Sequence, residues 1–334
     1  MKGQKKTQLF RGCTAVSASL LAIMIGGTSI ANVNAAFINT RLQSSNYKYV
    51  NDSDDDSSTY FKSDYTSLAD LIADKNQLAE DIASEGTVLL KNENGALPLQ
   101  TSSEKVTLWG LNSHNPTLGG MIGSSVTVAD DQKSYSIEDA LTEKGFTLNQ
   151  EMIDLYSSDE ASAYARAGGH ALQPSFGPIY ESPSGYAVGE ASPDIYTDSV
   201  LSSADDTAAI VVISRDSSEA ADYEVDMENL TEGDSFERPL ALSDYERAMI
   251  KLAKEHSTKV IVMLNTANPV EIEELKDDSE IDAILWAGEP GVNGFLGVAN
   301  VLDGTVNPSG HLVDTFAVNS ASSPAMVNFG VYNY

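Results

Sequence analysis

The chain has 334 residues, of which 42% are hydrophobic, and its 49 acidic and 20 basic side chains give a formal net charge of −29. This hydrophobic fraction is enough for a packed core and excludes a chain that is disordered throughout. The acidic balance repels nucleic acid and anionic lipid, so we expect no nucleic-acid partner.

Residues 1–35 have the pattern of an export signal. A basic stretch from Lys2 to Arg11 precedes an apolar core that is densest from Leu20 to Ile25. Small residues follow at Val33-Asn34-Ala35, as signal peptidase requires. The alternative is an uncleaved membrane anchor, for which the apolar core is short and interrupted at residues 26–29. We therefore expect an exported protein that is secreted, or held at the cell surface if the segment is retained.

Residues 36–66 are predicted to form a polar linker, centred on the acidic run at residues 51–59. Calcium binding by Asp54, Asp55 and Asp56 is the alternative, but these residues lack the spacing of an EF-hand loop. The remaining residues, 67–334, are predicted to form one domain.

The first half of this domain has alternating helix and strand patterns. Apolar residues recur at helical spacing from Ser67, residues 105–111 read as a strand, and residues 136–144 as a helix ended by Gly145. Residues 165–200 are rich in Gly, Pro, Ser and Tyr, which predicts a long loop or insertion.

The second half predicts a parallel sheet. Its continuously apolar strands alternate with helices, in the order strand 208–214, helix 243–256, strand 259–265, helix 270–275, strand 281–286 and helix 291–302. Ser243 and Glu246 form a capping-box pattern. Such alternation is typical of an α/β fold, a mostly parallel sheet with helices on both faces. Ligands bind such sheets beyond the carboxyl ends of the strands, so the loops after Leu111, Ser214 and Trp286 are candidates.

Three segments carry a resemblance to a known family. They are residues 78–99 (LAEDIASEGTVLLKNENGALPL), residues 259–269 (KVIVMLNTANP) and residues 282–316, which end in NPSGHLVDTF. Together they resemble the α/β-sandwich domain of family 3 glycoside hydrolases, from about residue 76 onward. The position near an export signal is similar to the subgroup in which this domain precedes the barrel domain. The closing NFGVYNY (328–334) resembles the middle of such a protein, so we expect a domain that is incomplete at its C-terminal end.

The resemblance implies one catalytic residue. Retaining glycosidases use a nucleophile and an acid/base, both carboxyl groups. In this family the nucleophile belongs to the barrel domain and the acid/base to a loop of the sandwich domain with the pattern R-x-S-G-E-G. Residues 214–222 resemble that pattern, which implies Glu219 as acid/base, although Ser218 and Ala220 replace the glycines. No segment resembles the barrel, so the chain is expected to lack the nucleophile and to need the missing barrel domain.

Each of these assignments has a non-catalytic alternative. Glu219 can be a solvated loop acid, and Asp216, Asp222 and Glu224 either raise its pKa or merely line an acidic surface. Residues 119–126 resemble the family's glycine-rich loop, for which we expect a place facing the barrel domain.

Binding of a metal or a cofactor is not expected. The four histidines lack the spacing of a metal site, and Trp109 and Trp286 are expected to pack in the core. The function implied is hydrolysis of terminal non-reducing β-D-glucosyl residues by a β-glucosidase fragment. The alternative is a non-catalytic, exported carbohydrate-binding or assembly module.

Overall fold

A computed structural model describes residues 2–34, 63–119, 133–165, 189–215, 233–238 and 240–327. The chain divides into two compact units, Met1–Thr66 and Ser67–Tyr334. In the first unit, helix α1 spans Lys2–Val33. Its stretch Lys6–Ala31 is long and apolar enough to cross a membrane by length and composition. A signal sequence near an N-terminus satisfies the same criterion.

The second unit contains a mixed α/β domain. Its described strands are β1 (Val88–Asn92), β2 (Lys105–Trp109), β3 (Thr147–Leu148), β4 (Thr207–Arg215), β5 (Ser257–Thr266) and β6 (Ala283–Trp286). Its described helices are α2 (Leu68–Gly86), α3 (Leu111–His114), α4 (Ile137–Glu143), α5 (Gln150–Tyr156), α6 (Asp159–Ser162), α7 (Asp198–Ala204), α8 (Asp244–His256), α9 (Glu273–Lys276), α10 (Gly291–Leu302) and α11 (Pro324–Val327). Short 3₁₀ turns lie at Pro193–Ile195 and Ser320–Ser322.

The strands form one sheet in the order β1-β6-β5-β4-β2-β3 within the described ranges. Strand β1 is antiparallel to β6, and the other neighbours are parallel. The predicted α/β class with a mostly parallel sheet is confirmed. The antiparallel edge strand was not foreseen, because a short apolar run does not reveal its direction.

Helices cover both faces of the sheet. Alternate residues of β4 point to opposite sides: Ala209, Val211 and Ile213 pack with α5 and α8. Their neighbours Ala208, Ile210 and Val212 pack with α4 and α10. All of β4 is buried, which explains its continuously apolar sequence.

Most predicted elements occur close to their expected bounds. Ser243 caps α8 in a capping box with Glu246, as predicted. The expected helix at residues 270–275 is a single turn, α9. Of the segment 165–200, expected as a loop or insertion, residues 166–188 lie outside the described residues. The described remainder contains the 3₁₀ turn and the start of α7.

Candidate functional site

The strand order defines a switch point between β2 and β4. From β2 the chain crosses outward to β3, and it then returns to the other side of β2 to form β4. Open α/β sheets bind ligands at such a switch point, beyond the carboxyl ends of the strands. The candidate site is therefore the region at the carboxyl ends of β2 and β4, together with the described side chains around it.

Arg215 fixes the point where the chain leaves β4. Its guanidinium forms a two-pronged ion pair with Glu246 of α8, with 2.7 Å from Nη2 to Oε2. Both side chains are fully buried. Glu246 also accepts a hydrogen bond from the backbone N–H of Ser243, 2.8 Å long, within the capping box. A bidentate buried pair has strict geometry, so the first residue of the motif-bearing loop is held against the start of α8.

The segment that begins at Gly233 also contacts the start of α8. Asp234 Oδ1 accepts from the backbone N–H of Tyr245 at 2.9 Å, and Phe236 forms a β-bridge with Ser243. Burial raises the pKa of Asp234 above its ordinary value. The two flanks of residues 216–232 therefore both meet the N-terminal turn of α8.

A second ion pair, between Arg238 and Glu271, joins the segment at residues 233–238 to the chain after β5. Arg238 donates two hydrogen bonds to Glu271, of 2.8 and 2.7 Å. Glu271 also accepts from the backbone N–H of Ser320 at 2.8 Å. Burial opposes ionisation of Glu271, but the hydrogen bonds from Arg238 and Ser320 prevail and lower its pKa to about 2. The carboxylate therefore joins three segments of the chain as an anion.

Asn265, near the end of β5, joins two loops to strand β4. Its Oδ1 accepts from Ser214 Oγ at 2.8 Å and from the backbone N–H of Thr117 at 2.7 Å. Its Nδ2 donates to the carbonyls of Thr117 and Gly288, at 2.9 and 2.6 Å. This buried amide ties the loops after β2 and β6 to β4.

Glu190 is a buried acid that sequence reasoning missed. Its side chain is fully buried beside the turn after β2. Burial raises its pKa to about 8 against the opposing hydrogen bonds from Leu111 and Ala191, with Glu246 and Asp234 adding to the rise. A perturbed carboxyl at a switch point is a functional candidate. Complete burial keeps it from a sugar, however, so its role must be indirect.

The catalytic residue implied by the resemblance lies outside the described residues. Glu219 and its neighbours Asp216, Asp222 and Glu224 fall in 216–232, and residues 120–126 of the glycine-rich segment fall in 120–132. Trp109 is fully buried in the core, as predicted. Trp286 is partly buried, and its Nε1 donates to the carbonyl of Thr266 at 2.7 Å. Among the described residues, no three His, Cys, Asp or Glu side chains cluster to hold a metal ion.

Comparison with known proteins establishes the family. Residues 87–333 match the glycosyl hydrolase family 3 C-terminal domain. The fold is thus that of a glycoside hydrolase sandwich domain, and the chain belongs to this family.

The relatives that it matches are longer. The chain is 29% identical over 267 residues to β-glucosidase A of Butyrivibrio fibrisolvens, covering 76% of this chain and 30% of the relative. It is 28% identical over 254 residues to a β-glucosidase of Ruminococcus albus, covering 75% and 24%. The chain therefore spans less than a third of the length of these relatives.

Solved structures give the same result. A β-glucosidase from Paenibacillus barengoltzii superposes with a TM-score of 0.61 at 26% identity, covering 76% of this chain and 25% of that one. β-Glucosidase 3B of Thermotoga neapolitana, in complex with α-D-glucose, superposes with 0.59 at 27% identity, covering 77% and 33%. The predicted family and fold are both confirmed.

Proposed function

We propose that this chain contributes the acid/base carboxylate, Glu219, to an exported retaining β-glucosidase that acts on terminal non-reducing β-D-glucosyl residues. The nucleophile comes from a barrel domain, and the chain by itself does not turn over substrate. A lone acid/base cannot form the glycosyl-enzyme intermediate.

One observation carries the assignment. Arg215, the first residue of the motif, is fixed at the switch point by its buried pair with Glu246. The flank at Asp234 returns to the same helix turn. A loop with both flanks fixed at the ligand-binding edge is suited to hold a general acid, which must stand within hydrogen-bond reach of the leaving oxygen.

Export rests on a separate observation. The stretch Lys6–Ala31 follows a basic start and has the length and apolarity of a signal or an anchor. Expression in a bacterial host with the segment intact, followed by fractionation and N-terminal sequencing, separates the two. A new N-terminus at Ala36 supports cleavage, whereas an unprocessed chain in the membrane fraction supports retention.

A chimera tests the catalytic proposal. Residues 67–334 of this chain replace the matched segment of β-glucosidase A of Butyrivibrio fibrisolvens. We expect the chimera to hydrolyse aryl β-glucosides and the isolated chain not to. Turnover by the isolated chain of about 1–1000 per second, as in ordinary enzymes, contradicts the need for a second domain. Sugar binding by the isolated chain together with a folded, inactive chimera favours the non-catalytic module.

A further inference from the structure

Asn265 uses every hydrogen-bonding position of its side chain. A side-chain amide has two acceptor sites on its oxygen and two N–H donors on its nitrogen. Oδ1 accepts from Ser214 Oγ and from the backbone N–H of Thr117. Nδ2 donates to the carbonyls of Thr117 and Gly288. Because Asn265 is fully buried, bulk water does not compete for these positions, and only a side-chain amide satisfies all four bonds at once.

The amide binds Thr117 as a neighbouring β-strand would. It accepts from the N–H and donates to the carbonyl of this one residue, at 2.7 and 2.9 Å, so it takes the place of a peptide group. The next residue is fixed as well, because the carbonyl of Leu118 accepts from the N–H of Gly291 at 2.8 Å. The chain is thus held at two successive residues immediately before the glycine-rich segment 119–126.

The bond to Gly288 depends on the absence of a side chain at that position. Gly288 has φ +63°, and an added Cβ would lie 3.1 Å from Cζ2 of Trp286. The Trp286 ring is itself fixed, since its Nε1 donates to the carbonyl of Thr266. The carbonyl of Gly288 therefore reaches Asn265, at 2.6 Å, through a backbone conformation that favours glycine.

Ser214 and Asn265 are aligned neighbours in the sheet. Strands β4 and β5 are parallel, with Ser214 opposite Asn265, and both residues are fully buried. Ser214 directly precedes Arg215, where the acid/base motif starts. One side chain therefore bonds to the end of β4 and to the loops after β2 and β6.

We propose that Asn265 is a positioning residue for the acid/base: it sets where the loops after β2 and β6 lie relative to the end of β4. These loops leave the sheet at the same edge as the loop that carries Glu219. Without the amide, the backbone groups of Thr117 and Gly288 lose buried partners, and both loops shift to find new ones. The expected effect on catalysis rests on the proposed function. A general acid must stand within hydrogen-bond reach of the leaving oxygen, and a misplacement of about 1 Å can cost about 100-fold in rate.

The ratio of two rates in the chimera separates positioning from stability. Asn265→Ala should slow a disaccharide about 10- to 100-fold more than an activated aryl glucoside, because only the disaccharide needs the proton of the acid. A variant that is merely less stable has less folded enzyme, which lowers both rates by the same factor. If Asn265→Ala does not fold, Asn265→Asp decides the question, since it keeps the shape and the acceptor oxygen but loses both Nδ2 donors.

Asn149 is the matched control. It is also a buried amide, and its Nδ2 donates to Thr107 Oγ1 and Ser203 Oγ at 3.0 and 2.9 Å. Thr107 in turn contacts Thr207 at the start of β4, so Asn149 lies away from the carboxyl ends that form the candidate site. Asn149→Ala should therefore leave the ratio of the two rates unchanged. A change equal to that of Asn265→Ala overturns the proposal.

Amide resonances of the isotopically labelled full-length chain test the positioning without catalysis. A hydrogen bond to a carbonyl shifts the amide of the next residue, so the amides of Leu118 and Glu289 report the bonds that Asn265 donates. Asn265→Asp should shift both amides, and Asn149→Ala should shift neither.

The two experiments fail in different ways. If Asn265→Asp leaves either the Leu118 or the Glu289 amide in place, the positioning role is refuted whatever the chimera does. If both amides shift but the unmodified chimera is inactive, the positioning is supported and the proposed function alone is refuted. If the chimera is active and the Asn265 variants slow both substrates equally, Asn265 has only a structural role and the proposal is overturned.

Discussion

The buried Arg215–Glu246 pair offers the sharpest test of how the site is held. Glu246→Gln removes the charge but retains the shape and the capping ability of the side chain at the third position of α8. Both partners have 0% side-chain exposure, so Arg215 would be left buried without its counter-charge. Breaking such a pair typically costs about 3–5 kcal/mol. That is a large part of the roughly 5–15 kcal/mol that stabilises a domain.

The Arg247–Glu274 pair is the matched control. It is also two-pronged, through Nε and Nη2 of Arg247 at 2.8 and 2.9 Å, but its side chains are 31% and 40% exposed. Glu274→Gln should therefore cost only about 0.2–1 kcal/mol. Urea unfolding of the two variants at one pH gives both values. Equal costs would show that burial of the Arg215 pair does not govern its strength and would refute the anchoring argument.

Three further outcomes follow from the described contacts. Asn265→Ala should lower the free energy of unfolding by about 2–3 kcal/mol in urea unfolding, because buried loop groups lose their partners; a cost below about 0.5 kcal/mol contradicts this. Gly110→Ala should melt at a much lower temperature than Gly95→Ala. Both glycines have positive φ, but a Cβ at position 110 would meet atoms within 4 Å, whereas a Cβ at position 95 would meet none. Equal melting temperatures would contradict the packing argument. Glu271, whose pKa is lowered from 4.5 to about 2, adds stability above pH 4.5 that is lost as the pH falls towards 2. Glu271→Gln should remove that part of the acid dependence of the free energy of unfolding. An unchanged dependence on acid pH would contradict this.

The sequence predicted the local features of the fold well. Three features depend only on residues that are close together in sequence, and all three occur as expected: the apolar run of β4, the capping box of α8 and the helix at Gly291–Leu302. The short strand β3 and helix α5 were missed, because they are brief and are stabilised by contacts with distant segments. The direction of β1 likewise depends on its pairing with β6.

The site was predictable only where motif and local pattern coincide. Arg215 was recognised as part of a motif, but its burial against Glu246 depends on packing between β4 and α8. Glu190 lay in a segment whose composition predicted a loop, and its partner Leu111 is 79 positions away. A charged residue in a Gly- and Pro-rich stretch gives no signal of burial. Only a perturbed environment in three dimensions could reveal it.

The central claim, that Glu219 is the acid/base, is tested most directly by azide rescue of Glu219→Ala in the chimera. Loss of the acid should slow substrates with poor leaving groups by about 100- to 10,000-fold, because a poor leaving oxygen needs a proton as the bond breaks. An activated aryl glucoside leaves without that proton, and azide, which needs no general base, should then restore its turnover. Asp222→Ala should show neither effect. If Glu219→Ala hydrolyses a disaccharide like the unmodified chimera, or if azide rescues Asp222→Ala instead, the assignment is wrong.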